Sequence, residues 1–246
     1  MVARITRTLC RLANGNQMSI TEIDNDPMLG GSSYIVSSLE DAQQLPESHR
    51  AVLGDAELKA LEDHRVFFSS LRQDCQFPPM SKWLDLIIES DGISLTAYLD
   101  GMGQQAALIN TLGGCVRLGP FYVPKSAPKQ LRQIFQLLGS IHQHGFGEPN
   151  FFAIGESNPA EQIDDRMLNY VNGPPINTQL TEFYTADCGD RLLASDEWVY
   201  HYHIGGSVHR GNSLQDVLDS FFRQLCGQES NFSPFVDYTM VSEIAT

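Results

Sequence analysis

The side chains able to do chemistry concentrate in the stretch Glu182 to Cys226, EFYTADCGDRLLASDEWVYHYHIGGSVHRGNSLQDVLDSFFRQLC. His201 and His203 stand two apart in a run of strand character, so they share one face. Two imidazoles with a third ligand make a zinc site, and two histidines with an acid make a hydrolase. If Gly205-Gly206 form a two-residue turn, His203 opposes Val208, Tyr202 opposes His209, and His201 opposes Arg210. His209 then falls on the other face, and the cation of Arg210 disfavours a metal beside His201. No local three-histidine cluster forms, so neither a metal nor a cofactor is implied. His142 and His144 are also two apart, but on a helix that spacing turns them about 200° from one another.

The five cysteines, Cys10, Cys75, Cys115, Cys188 and Cys226, are widely spaced with no CxxC pair. That pattern fits reduced thiols in a cytoplasm rather than a disulfide framework or a zinc site. Cys188 lies between acids in ADCGD, which disfavours the thiolate, and Cys115 has no histidine nearby in sequence. The carboxylate pairs Asp164-Asp165, Asp187 with Asp190, and Asp196-Glu197 arise easily in so acidic a chain. Acid catalysis needs two carboxylates held in different environments across a cleft. GxSxG, HExxH, Walker A and a full GxGxxG are all absent from the sequence. The residues therefore point away from an enzyme.

The elements that position these groups follow from patterning. The chain of 246 residues is 42% hydrophobic with 9% aromatics, enough to bury a core. Leu214, Val217, Leu218, Phe221, Phe222 and Leu225 make the apolar face of a final helix. Ser213 is its N-cap, Asp216 completes a capping box, and Gly227 stops it. Apolar Leu131, Ile134, Leu138 and Ile141 predict another helix over Ser126 to Gly145. Ser38 caps a helix through LEDAQQL, and a second helical stretch runs from Pro46 to Ser70. SYIVS at Ser33 to Ser37 reads as a strand, as does FFAIGE at Phe151 to Glu156, and Asn158 to Tyr170 reads as a helix. WLDLIIES, Asp91-Gly92 and ISLTAYL read as a strand, a hairpin turn and a second strand, because Asp-Gly tolerates the positive φ such turns need. QQAALINTL would be a third strand, making Trp83 to Leu112 an antiparallel meander. The fold class is α+β: an antiparallel meander and hairpins packed against several amphipathic helices. It is read as a single domain over 1–246. QFPPM at 76–80 marks a possible subdivision between a helical part, 1–75, and a mixed sheet and helix part, 81–246.

The formal net charge is −14, from 30 acidic and 16 basic residues. Nucleic-acid binding needs an excess of Lys and Arg, so the charge argues against it, and against an anionic membrane surface. No window approaches the roughly 20 apolar residues of a membrane span. The N-terminal MVARITRTLCRLANGNQ has three arginines but no apolar core, so no secretion signal is read there, and a cytoplasmic location is expected. Opposite charge speeds encounter with a basic protein. Aromatic residues flanked by acids suit such an interface: Trp198, Tyr200 and Tyr202 share one strand face, and Asp187, Asp190, Asp196 and Glu197 lie beside them.

The segments CGDRLLASDEWVYHYHIGG and NSLQDVLDSFFRQL resemble the closing strands and SLxxFLxxF-type helix of the SUKH superfamily. Upstream, LPESHRAVL is similar to its LPxxYxxFL segment, with His49 at the aromatic position. The resemblance covers about a third of the chain and lacks the family's NGG segment. It implies an α+β fold and a non-enzymatic role, immunity to a bacterial toxin by direct binding. The first expectation is thus a cytoplasmic, immunity-type protein that binds a basic partner. The alternatives are a hydrolase assembled from distant residues including His201 and His203, and an oligomeric scaffold subunit.

Overall fold

The computed structural model describes residues 5–6, 21–24, 31–100, 105–118, 123, 125, 127–143, 151–153, 162–163, 180–185, 191–202, 208–228 and 239–240. The chain divides into two compact units, one of residues 1–73 and 84–118, the other of 74–83 and 119–246. The fold is α+β, with antiparallel strands and amphipathic helices in both.

In the first unit, strands β1 (Ile5–Thr6), β2 (Thr21–Asp24) and β3 (Gly31–Val36) precede four helices: α1 (Leu39–Gln43), α2 (Glu47–Arg50), α3 (Asp55–Glu62) and α4 (His64–Asp74). Helix α5 (Pro78–Glu89), of which residues 78–83 belong to the second unit, then leads into β4 (Ser94–Asp100), β5 (Gln105–Thr111) and β6 (Gly114–Arg117). The strands pair antiparallel in the order β1-β2-β3-β4-β5-β6. Val36 pairs with Leu95 and Leu95 with Ile109. These buried side chains, with Ala97 and Val116, line the face on which α1, α2 and α3 lie. On the opposite face, Asn110 Nδ2 donates to Ser94 Oγ at 3.0 Å and to Thr96 Oγ1 at 2.9 Å.

His49 of α2 is buried at 4% exposure, and its ring meets Tyr34 edge-on at 4.6 Å. Nε2 lies 3.0 Å from the Ser32 carbonyl oxygen, and Nδ1 lies 3.2 Å from Ser48 Oγ. A carbonyl only accepts, so Nε2 carries the proton and Nδ1 accepts from Ser48. The histidine pins α2 to β3.

Several local expectations are corrected here. Trp83 to Glu89 is helical, not a strand, and Asp91-Gly92 joins a helix to β4 instead of closing a hairpin. Met80, Trp83, Leu84 and Ile87 are fully buried at helical spacing along α5. Pro78 and Pro79 suit a helix start, where no intrahelical N–H bond is lost. The stretch from Pro46 to Ser70 holds three short helices, because Leu53-Gly54 and Asp63 interrupt it.

The second unit contains α6 (Lys129–Leu137), β7 (Ser140–Gln143), β8 (Phe151–Ala153), β9 (Gln162–Ile163) and β10 (Leu180–Thr185). There follow β11 (Arg191–Ala194), β12 (Trp198–Tyr202), β13 (Val208–Ser213), α7 (Leu214–Leu225) and β14 (Thr239–Met240). The antiparallel order is β7-β8-β10-β11-β12-β13-β14, with β9 also on β10. The helix expected over 126–145 ends at Leu137: Leu138 is extended (φ −130°, ψ 132°), and Ser140–Gln143 pairs with β8. His142 thus belongs to a strand, and His144 lies outside the described residues. Of the helix expected over 158–170, only Gln162–Ile163 is described, and it is a strand.

Helix α7 forms as its sequence dictates. Ser213 caps it, and Leu214, Val217, Leu218, Phe221, Phe222 and Leu225 are all buried. It packs on β12 and β13. The Phe222 ring lies 5.8 Å from Phe77 and 5.9 Å from Trp83, centroid to centroid. The chain leaves the helix through Gly227, whose φ of 68° favours glycine.

Candidate partner-binding site

Strands β11 and β12 are joined by a turn over Ser195, Asp196 and Glu197 that places the acids and Trp198 at the surface. Ser195 organises the turn. Its backbone N–H donates to the Trp198 carbonyl at 2.9 Å, and its Oγ accepts from the Trp198 N–H at 3.0 Å. This is the local side chain-to-backbone bonding that makes serine a turn residue. The Leu214 N–H, at the start of α7, donates to the Glu197 carbonyl at 2.9 Å. The turn is therefore tied at both ends, to its own strand pair and to the helix start. Asp196 and Glu197 are exposed, and Trp198 is 37% exposed, one of the few large hydrophobic side chains so open among the described residues.

The remaining candidates separate. Tyr200 is 5% exposed and His201 7%, so both faces of β12 are covered at its centre. The alternation of aromatics and histidines thus does not divide the strand into a core face and a binding face, and Tyr200 lies within the packed interior. Tyr202 is half-buried and pairs with Arg191, which is bridged to Glu182 at 3.1 Å. Asp187, Asp190 and His203 lie outside the described residues. The surface group that remains is Asp196, Glu197 and Trp198.

The expected register of the β12–β13 hairpin is also corrected. Tyr202 pairs with Val208, His201 with His209, and Tyr200 with Arg210. Five residues, 203–207, link the first of these pairs, rather than the arrangement a two-residue turn imposes. The pairing is thus shifted by one residue from the expected register, and His201 stands opposite His209 rather than Arg210.

Among the described residues, no group of three or more His, Cys, Asp or Glu side chains is placed to hold a metal ion. Burial pushes the Cys115 thiol up to about 12, and burial also raises Cys226, partly offset by Lys82. Both are poor nucleophiles at neutral pH. No helix among the described residues is long and apolar enough to cross a membrane. Ser195 was missed as an organiser by sequence reasoning, although a serine opening an S-D-E turn before a strand is the signal for it. Comparison of the chain with protein-family models, curated proteins and solved structures gives no match.

Proposed function

We infer that the chain is a non-catalytic, acidic binding protein of the immunity type, which neutralises a basic protein toxin in the cytoplasm by direct contact. The observation that carries this reading is the fixed turn presenting Asp196, Glu197 and Trp198 together. An exposed tryptophan directly after two carboxylates offers both an anchor and charge complementarity to lysine and arginine. Holding the turn rigid lowers the ordering entropy lost on binding. The net charge of −14 adds long-range attraction for a basic partner. The likeness of the C-terminal segments to the SUKH superfamily points the same way.

The test compares wild type with Trp198→Ala and with the double charge reversal Asp196→Lys/Glu197→Lys. Each protein captures partners from a lysate of its own organism, and the captured protein is then purified and its affinity measured. A basic partner bound by wild type and at least about tenfold weaker with both variants supports the reading. A partner held equally by all three removes this turn from the interface, and a partner without basic character sinks the charge argument.

A further inference from the structure

The chain contains two Asp-Gly pairs, Asp91-Gly92 and Asp100-Gly101, alike as dipeptides. The fold treats the two aspartates differently. Asp100 is the last residue of β4 and pairs with Gly31 of β3. Asp91 lies in the bend between α5 and β4, and both Asp91 and Gly92 are exposed. The bend is anchored at Ser90. Its Oγ donates to the Ile87 carbonyl at 2.8 Å and lies 3.2 Å from the Gly92 carbonyl, and His64 Nε2 donates to the Ser90 carbonyl at 3.2 Å. The peptide between Asp91 and Gly92 carries no such tie. Neither the Asp91 carboxylate nor the Gly92 N–H has a partner among the described residues. A Cβ on Gly92 would meet nothing within 4 Å, and its φ of 157° is one that glycine readily adopts. The Gly92 nitrogen is thus open, with no side chain to shield it, beside a carboxyl group that is free to turn.

We propose that Asp91-Gly92 is a site of succinimide formation and conversion to isoaspartate, a covalent modification that needs water and no enzyme. The Gly92 backbone nitrogen attacks Cγ of the protonated Asp91 carboxyl. A Cγ–N bond forms, a Cγ–O bond breaks, and the amide hydrogen leaves with the hydroxyl as water; nothing is oxidised or reduced. Water then opens the five-membered imide at either carbonyl. Cleavage of the new Cγ–N bond restores aspartate. Cleavage of the original peptide C–N bond leaves isoaspartate, in which the chain runs through Cβ and Cγ and the α-carboxylate hangs free. Ring closure needs Cβ to eclipse the next nitrogen across the Cα–C bond. A strand, with ψ about 135°, holds the two apart, so Asp100 must first leave its pairing with β3. No strand ladder holds Asp91 in the bend. Isoaspartate lengthens the backbone just before β4, whose buried Leu95 pairs with Val36 and Ile109. The modification therefore loosens the first unit. It is separate from the Asp196–Trp198 turn and does not depend on its role.

The test incubates the full chain at physiological temperature and neutral pH. Electron-transfer mass spectrometry, which separates isoaspartate from aspartate, then maps residues 91 and 100. Asp91 should convert severalfold faster than Asp100 in the folded protein, and the two should convert at similar rates in urea, where no strand protects either. In water enriched in ¹⁸O, converted Asp91 should carry the label that imide hydrolysis introduces. Asp91→Glu would need a slower, six-membered ring, so it should show no conversion at residue 91 and a smaller fall in melting temperature with age than wild type. An Asp91 that stays intact in the folded chain while it converts in urea overturns the proposal. So does equal conversion of the two aspartates in the folded chain, or a preference for Asp91 that persists unchanged in urea. An equal fall in melting temperature for wild type and Asp91→Glu overturns the effect on the first unit.

Discussion

Ser213 and Asp216 cap helix α7 reciprocally: Ser213 Oγ accepts from the Asp216 N–H at 3.1 Å and donates to Asp216 Oδ2 at 2.6 Å. The pair satisfies one of the N–H groups that every helix start leaves open and places a negative charge at its positive end. Ser213→Ala should lower stability by about 1 kcal/mol in urea unfolding. Ser213→Asp should restore most of it, because aspartate caps as well as serine. An unchanged midpoint for Ser213→Ala would show that α7 is held by packing alone.

Three aromatic rings, those of Phe77, Trp83 and Phe221, lie within 6 Å of the ring centre of Phe222 on that helix. Phe222→Ala should destabilise by about 3–5 kcal/mol, through lost burial and the cavity left behind. Phe222→Leu should be milder. In a Trp198→Phe background, where Trp83 is the remaining tryptophan, loss of the near-ultraviolet tryptophan signal in Phe222→Ala would report the release of Trp83.

His49 joins α2 to β3 through its bond to the Ser32 carbonyl and its contact with Tyr34. His49→Ala removes both and should cost about 1–3 kcal/mol, the range for leaving a buried polar partner unsatisfied. His49→Phe keeps the ring and loses the hydrogen bond, so it should fall between wild type and alanine. A phenylalanine variant as stable as wild type would make the ring contact, and not the hydrogen bond, the source of the stability.

The folded protein holds the Cys115 thiol neutral up to about 12, against 9.0 for the free side chain. Between those values the unfolded chain has lost the proton that the folded chain keeps. Stability from this group is therefore complete below pH 9 and declines as pH rises towards 12. Cys115→Ala should flatten the alkaline end of a melting-temperature profile. Native alkylation at pH 8, mapped by mass spectrometry, should leave Cys115 unlabelled and label it after denaturation.

A Cβ on Gly54 would lie 2.6 Å from Glu57 Oε2, because the buried Glu57 carboxylate folds back over the start of α3. Gly54→Ala should displace the far end of that side chain at a small cost in stability. The double variant Gly54→Ala/Glu57→Ala, which removes the displaced group, should then lose less than the sum of the single changes. Additive losses would show that the two positions act independently.

Helix α7 was legible because everything it needs is local. Its cap, its stop and an unbroken 3.6-residue stripe lie within fifteen positions, and Ser213, Phe222 and Gly227 behave as their spacing requires. The same holds for Ser38, which caps α1 by accepting from the Asp41 N–H at 3.1 Å. Strands β3, β4 and β5 were readable from β-rich runs with turn residues between them.

Tertiary structure decided what those patterns leave open. WLDLIIE is a short apolar run that satisfies a strand or a buried helix equally, and burial of Met80, Trp83, Leu84 and Ile87 together selected the helix. Leu138 and Ile141 fit the stripe of α6, yet pairing with β8 drew Ser140–Gln143 into a strand. The register of His201 depends on how many residues the connection uses, and one residue reverses every face. Composition and local spacing thus determined the α+β class, the acidic surface and the capped helices. Which strand faces are covered, and which histidines share a row, were settled by pairing between distant segments, whose energies no local pattern contains.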